Sequence, residues 1–159
     1  MDNLSEIKNL NKVEIINIFN DQIEIFINEM EKIINDLFNN NIIDSIIKED
    51  ITFYKNIANT SIKYTYNYII ESFGKYIIRN PNIVTAIMEK DLNIILNYEF
   101  EKDSSIEKYK EKYKNNLEIQ DLIIIFKKSI AYLNEENKNN IFEYFQIFVQ
   151  LTVTYMSKI

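Results

Sequence analysis

A chain of 159 residues with one glycine, Gly74, and one proline, Pro81, has little material for tight turns. Two-residue hairpins need glycine or Asn-Gly pairs for their left-handed backbone, and phosphate-cradling loops need several glycines. With both nearly closed off, helices remain. The sequence is expected to form a single all-α domain, residues 1–159, built as a bundle of five to seven helices. Its length and its content of 47% hydrophobic and 13% aromatic residues suffice for one packed core.

The spacing of apolar residues places the helices. Ile15, Phe19, Ile23, Phe26, Met30, Ile33 and Leu37 follow one another at steps of four and three, which marks one face of a long helix beginning near Val13. Its other face carries Glu14, Asp21, Glu24, Glu29, Glu31 and Asp36, and reads as a solvated surface. Residues 38–41 read as a loop, because consecutive asparagines accept left-handed backbone. A second helix is expected over 44–58, after which Asn59, Thr60 and Ser61 offer N-cap oxygens to a third. That third helix, with its stripe of Ile62, Tyr66, Ile69, Ile70, Phe73 and Ile77, should stop by Asn80, since Pro81 disfavours helical geometry in the residue before it. Gly74 lies inside it, where glycine costs about 1 kcal/mol against alanine, and a close helix crossing is the expected compensation.

Two short helices are expected near 83–88 and 92–98, broken at Lys90 and Asp91. Residues 101–116 are expected to be a charged, exposed segment, as readily a solvated helix as a loop, since Ile106, Tyr109, Tyr113 and Leu117 keep helical spacing through the charges. A further helix is expected over the Ile-rich stretch 119–131. The last, 133–155, is apolar on nearly every side, so it should be covered by neighbours and form the centre of the bundle.

The favoured residues Ile, Asn, Lys, Tyr and Phe share A/T-rich codons, so composition reports the source genome more than the function. Without His or Cys, the common zinc sites, Ser-His-Asp and Cys-His triads and thiol redox chemistry are unavailable. The acidic pairs Glu49/Asp50, Glu89/Asp91 and Glu135/Glu136 sit too close in sequence to converge from one helix. No enzyme activity, catalytic residue, cofactor or metal is expected. The start of the chain shows no basic-then-apolar leader, and no apolar run reaches the roughly 20 residues of a membrane span. An intracellular, non-secreted protein is the expectation, and the absence of cysteine suits a reducing compartment.

Charge is uneven within the net −6. Residues 1–50 carry eleven acids against four bases, whereas 51–86 carry Glu71 alone against Lys55, Lys63, Lys75 and Arg79. In that basic middle the cations interleave with Tyr64, Tyr66, Tyr68 and Tyr76. Lysines can take phosphates and tyrosines can stack on bases, so Lys63, Lys75 and Arg79 are the candidate nucleic-acid contacts. The acidic remainder disfavours that partner. A non-catalytic role in protein binding or assembly is the leading expectation, carried by apolar surface that a small domain leaves uncovered. A homo-oligomer through the first helix stays open.

The tail from Leu133 through Lys138, Ile141, Phe142 and Tyr144 to Gln146 resembles one that recurs in small uncharacterised proteins of giant nucleocytoplasmic DNA viruses. Leu37-Phe38 and the element 91–100 extend the likeness, while Phe142 stands where that tail has tryptophan and Asn39 where it has proline. The resemblance implies a viral protein, either a minor virion component or a factor that binds host proteins, located in the host cytoplasm or the virion. It supplies no site residues. In layout alone, a buried helix wrapped by amphipathic ones also resembles the Bcl-2 death regulators, whose Asn-Trp-Gly-Arg signature is set here against Ser72-Phe73-Gly74-Lys75.

Overall fold

Asn11 starts the longest helix by a reciprocal cap: its side chain accepts the Glu14 N–H at 2.9 Å, and the Glu14 carboxylate accepts the Asn11 N–H at 3.2 Å. A computed structural model describes residues 4–98 and 117–158. Within them lie eight α-helices and no strand: α1 (Leu4–Lys8), α2 (Lys12–Asn39), α3 (Ser45–Tyr64), α4 (Tyr68–Arg79), α5 (Pro81–Met88), α6 (Leu92–Asn97), α7 (Ile119–Ser129) and α8 (Glu135–Ser157). A 3-10 turn, Ile130–Tyr132, joins the last two. The protein is an all-α helical bundle. The charged segment 101–116 lies outside the described residues.

Helix ends follow local chemistry. At the end of α2, Asn41 takes φ 58° and the Ile42 N–H reaches back to the Leu37 carbonyl at 2.9 Å, closing the helix as asparagine allows. Lys90 does the same after α5 with φ 54°, the Asp91 N–H bonding the Ala86 carbonyl, and Asp91 then caps α6. Pro81 is the first residue of α5, where its missing N–H costs nothing.

One expected boundary is overturned. Asn59, Thr60 and Ser61 do not cap a new helix but lie inside α3, which runs on to Tyr64. The Thr60 hydroxyl turns back to donate to the Asn56 carbonyl at 2.9 Å. Burial of Ile57, Ala58 and Ser61 keeps this turn helical, because packing outweighs the weak preference of such residues for caps. As a result Ile62 belongs to α3, and Tyr66, expected on an inner stripe, sits exposed in the link between α3 and α4. The Asn20 side-chain N–H fixes that link by donating to the Tyr66 carbonyl at 2.8 Å.

α8 is central, as its apolar content implies. It packs on α1, α2, α4 and α5, and its Phe142 and Phe145 meet Phe126 of α7. Phe148 is the hub, with ring centroids 5.7 Å from Phe19, 5.6 Å from Phe26 and 6.1 Å from Phe73. Edge-to-face pairs of this kind add about 0.5–1.5 kcal/mol each beyond the area they bury. The helix is nevertheless not covered all round: Asn139, Glu143, Val153 and Met156 form an exposed strip. The more enclosed helix is α7, in which every residue from Ile119 to Phe126 is buried.

Gly74 is where α4 crosses α8. A Cβ built there would lie 2.7 Å from Met156 Sδ and 3.6 Å from Thr152 Cγ2, so the absent side chain is what lets the two helices approach. The buried apolar residues of all eight helices whose side chains are described form one continuous cluster.

Candidate functional site

Ser61 is the last buried residue of α3, and beyond it the chain surfaces. Tyr64 is 73% exposed, and Tyr66 and Tyr68 are exposed with it. Three tyrosines thus stand at one corner within five residues. Lys63 Nζ lies 5.3 Å from the Tyr64 ring centroid, a distance at which a cation is attracted to the ring face.

From this corner α4 runs with a strict division of faces. Ile69, Ile70, Phe73, Gly74 and Ile77 point into the core, while Tyr68, Glu71, Lys75, Ile78 and Arg79 face outward. Lys75 and Arg79 are four residues apart, one turn along the same face, or about 6 Å. Ile78 stands beside them, 72% exposed. The structure therefore brings Lys75 and Arg79 together and places Lys63 apart, in the last turn of α3. Among the described residues none of the three enters an ion pair.

Two members of the basic, tyrosine-rich stretch are withdrawn from this surface. Lys55 pairs with Glu31 at 2.9 Å, across to α2. Tyr76 is half-buried with its hydroxyl inside. The one carboxylate on the face, Glu71, accepts hydrogen bonds from Tyr155 (3.0 Å) and from the Asn67 side chain (3.2 Å). Lys12 Nζ lies over the Tyr155 ring at 4.9 Å, so this group ties the start of α2, the start of α4 and the end of α8 together. Burial, and then Glu71, push the Tyr155 hydroxyl up from its ordinary value.

Sequence reasoning missed Ile78. The signal was the pair Ile77-Ile78: on a helix whose inner stripe is 69, 70, 73 and 77, the second of two adjacent isoleucines has to face out.

A cleft between α2 and α8, lined by Phe26, Glu29, Met30, Ile33, Asn137, Asn140, Ile141 and Tyr144, has a volume of about 30 Å³, room for a single water. Burial first, and then the hydrogen bond and charge of Glu29, push the Tyr144 hydroxyl from 10.0 up to about 12. A phenol whose folded value is raised stays protonated longer in the native state. Its contribution to stability is complete below pH 10 and is lost as pH rises from 10 to about 12. In a titration followed at the tyrosinate absorbance, Tyr144→Phe should remove a late-ionising tyrosine. Glu29→Gln should bring the same step to lower pH without fully normalising it, because burial remains. An unchanged titration in both variants would refute the assignment.

Among the described residues, no group of three or more His, Cys, Asp or Glu side chains is placed to hold a metal ion. No helix there is long and apolar enough to cross a membrane. The side chains at this surface are cations, phenol rings, the Glu71 carboxylate and an exposed aliphatic side chain, which together can make charged, hydrogen-bonded and apolar contacts. Comparison with protein-family models, with curated proteins and with solved structures found no match to this chain.

Proposed function

We propose that this chain is a non-catalytic protein-binding or assembly component. Its tail resembles those of giant-virus proteins, which supports a viral role as a minor virion component or a host-interaction factor. The observation that carries the reading is the outer face of α4 with its approach: Ile78 and Tyr64 each nearly three-quarters exposed, with Tyr66 and Tyr68 alongside. Large apolar and aromatic side chains gathered on one surface are a common mark of partner sites, and tyrosine is enriched at such sites because it joins an apolar ring to a polar tip.

The test is recovery of partners by the immobilised chain at near-physiological salt, wild type against Ile78→Asp and Tyr64→Ser. Both positions are exposed, so stability should move by no more than about 0.5 kcal/mol. Loss of a stoichiometric protein partner in both variants is expected. Recovery unchanged by either substitution would take this face out of the function.

A second reading is favoured by the same tyrosines: association with single-stranded nucleic acid, with stacking on Tyr64, Tyr66 and Tyr68 and phosphate contacts from Lys63, Lys75 and Arg79. It requires oligonucleotide binding that falls steeply with salt and disappears on charge reversal at those three positions. Binding without salt dependence, or none at all, would remove it.

A further inference from the structure

The outward face of α4 has a counterpart of opposite charge on α2. The inner residues of α2 are Ile15, Phe19, Ile23, Phe26, Met30 and Ile34, and the face turned from them exposes Glu14, Asp21, Glu24 and Ile25. Its one cation, Lys32, lies further along the helix. Asp21 and Glu24 are three residues apart and, among the described residues, enter no ion pair. α2 and α4 touch each other through their buried sides, with Phe19 and Phe73 in edge-to-face contact at 5.2 Å. The helices meet by their inner faces, so both charged outer faces are left free of this contact.

We propose that copies of this chain associate head to tail, the Lys75, Ile78 and Arg79 face of α4 in one copy seating on the Asp21, Glu24 and Ile25 face of α2 in the next. The inference rests on the reading of the α4 face as a protein-binding surface and names its partner as a second copy. Three features of the molecule select this arrangement. Lys75 and Arg79 stand about 6 Å apart along α4, and Asp21 and Glu24 about 4.5 Å apart along α2, so two cations can oppose two carboxylates across one turn of each helix. An exposed isoleucine accompanies each pair, Ile78 between Lys75 and Arg79 and Ile25 next to Glu24, which gives the contact an apolar part beside its charges. Finally, like faces repel: an α2-to-α2 contact opposes acid to acid and an α4-to-α4 contact opposes cation to cation, so the symmetric dimers are selected against. A contact between two unlike faces is heterologous. It leaves one of each face open at the two ends, and the assembly grows with concentration.

The experiment is sedimentation velocity on the nuclease-treated full chain between about 10 µM and 1 mM, the range in which a modest surface contact becomes populated. The wild type should sediment progressively faster, past the dimer, as concentration rises. Neutralising either face, Lys75→Gln with Arg79→Gln or Asp21→Asn with Glu24→Gln, should weaken association at least about tenfold, since each removes both charged partners from one side. Circular dichroism checks that each variant keeps its helix content, and Ile78→Asp is the independent variant that acts on the apolar part of the contact.

The decisive sample is an equimolar mixture of the two neutralised variants. It retains one good face from each, so it should form a heterodimer and stop there. A wild type that stays monomeric throughout, or that stops at a symmetric dimer, would overturn the proposal. So would association that survives both neutralisations or requires bound nucleic acid. A monomeric wild type that still loses a heterologous partner on Ile78→Asp would overturn head-to-tail assembly and leave the protein-binding function standing.

Discussion

Phe148→Ala is expected to destabilise the protein by about 3–5 kcal/mol, the cost of deleting a buried phenylalanine and leaving part of its volume empty. The site explains why the effect should fall in this range. Phe148 is fully buried in α8 and meets Phe19 and Phe26 of α2, Phe73 of α4, and Tyr144 and Phe145 of its own helix. Neighbours from three helices cannot all move in to fill the gap. Against a total stability of about 5–15 kcal/mol, such a loss leaves the fold marginal. The thermal midpoint should drop by roughly 10–15 °C, at about 2–4 °C per kcal/mol for a chain of this size. Val153→Ala on the exposed strip of the same helix, where the side chain is 47% exposed, is the control and should shift stability by about 0.5 kcal/mol or less. A loss under about 1 kcal/mol for Phe148→Ala would mean that the aromatic hub is not where the helices are held together.

The second large effect is electrostatic. Asp50 of α3 is only 3% exposed, and its Oδ2 lies 3.5 Å from Lys128 Nζ at the contact between α3 and α7. Lys128→Met keeps most of the aliphatic stem but withdraws the charge, leaving a buried carboxylate without this cation. The expected loss is about 2–4 kcal/mol, toward the lower side of that for fully buried pairs because Lys128 keeps some contact with solvent. Removing both charges, Lys128→Met with Asp50→Leu, should cost less than Lys128→Met alone, since the buried carboxylate is removed together with this cation. Urea midpoints for the two singles and the double give the coupling directly. Equal and additive losses would show that the pair acts as two independent surface groups.

Legibility in the sequence divided along a physical line. α2 was readable because its spacing of apolar residues repeats every three to four positions over about six turns, and its end carries its own signal at the asparagines 39–41, whereas the Asn11 cap emerged only from the structure. The stop at Pro81 and the break at Lys90 and Asp91 were readable because each follows from backbone geometry within a few residues. Gly74 was readable as a crossing, although which helix crosses there was not. The site was legible in part. Lys63, Lys75 and Arg79 stand on the surface, and so do three of the four tyrosines that accompany them in sequence.

What the sequence alone determined is therefore the class of fold, from its poverty in glycine and proline, and those helix limits that depend on caps and turn geometry. Only the tertiary structure decided that α3 continues through Asn59, Thr60 and Ser61, that Tyr66 leaves the core, that Val153 stays outside it, and that Lys55 is claimed by Glu31. The same holds for the contact that sets α2, with its acidic outer face, beside α4, with its basic one. Caps and backbone preferences act between residues about four apart along the chain. Exposure and ion pairing are settled by whichever helix arrives from elsewhere, as Glu31 reaches Lys55 from 24 residues away and Tyr155 reaches Glu71 from 84.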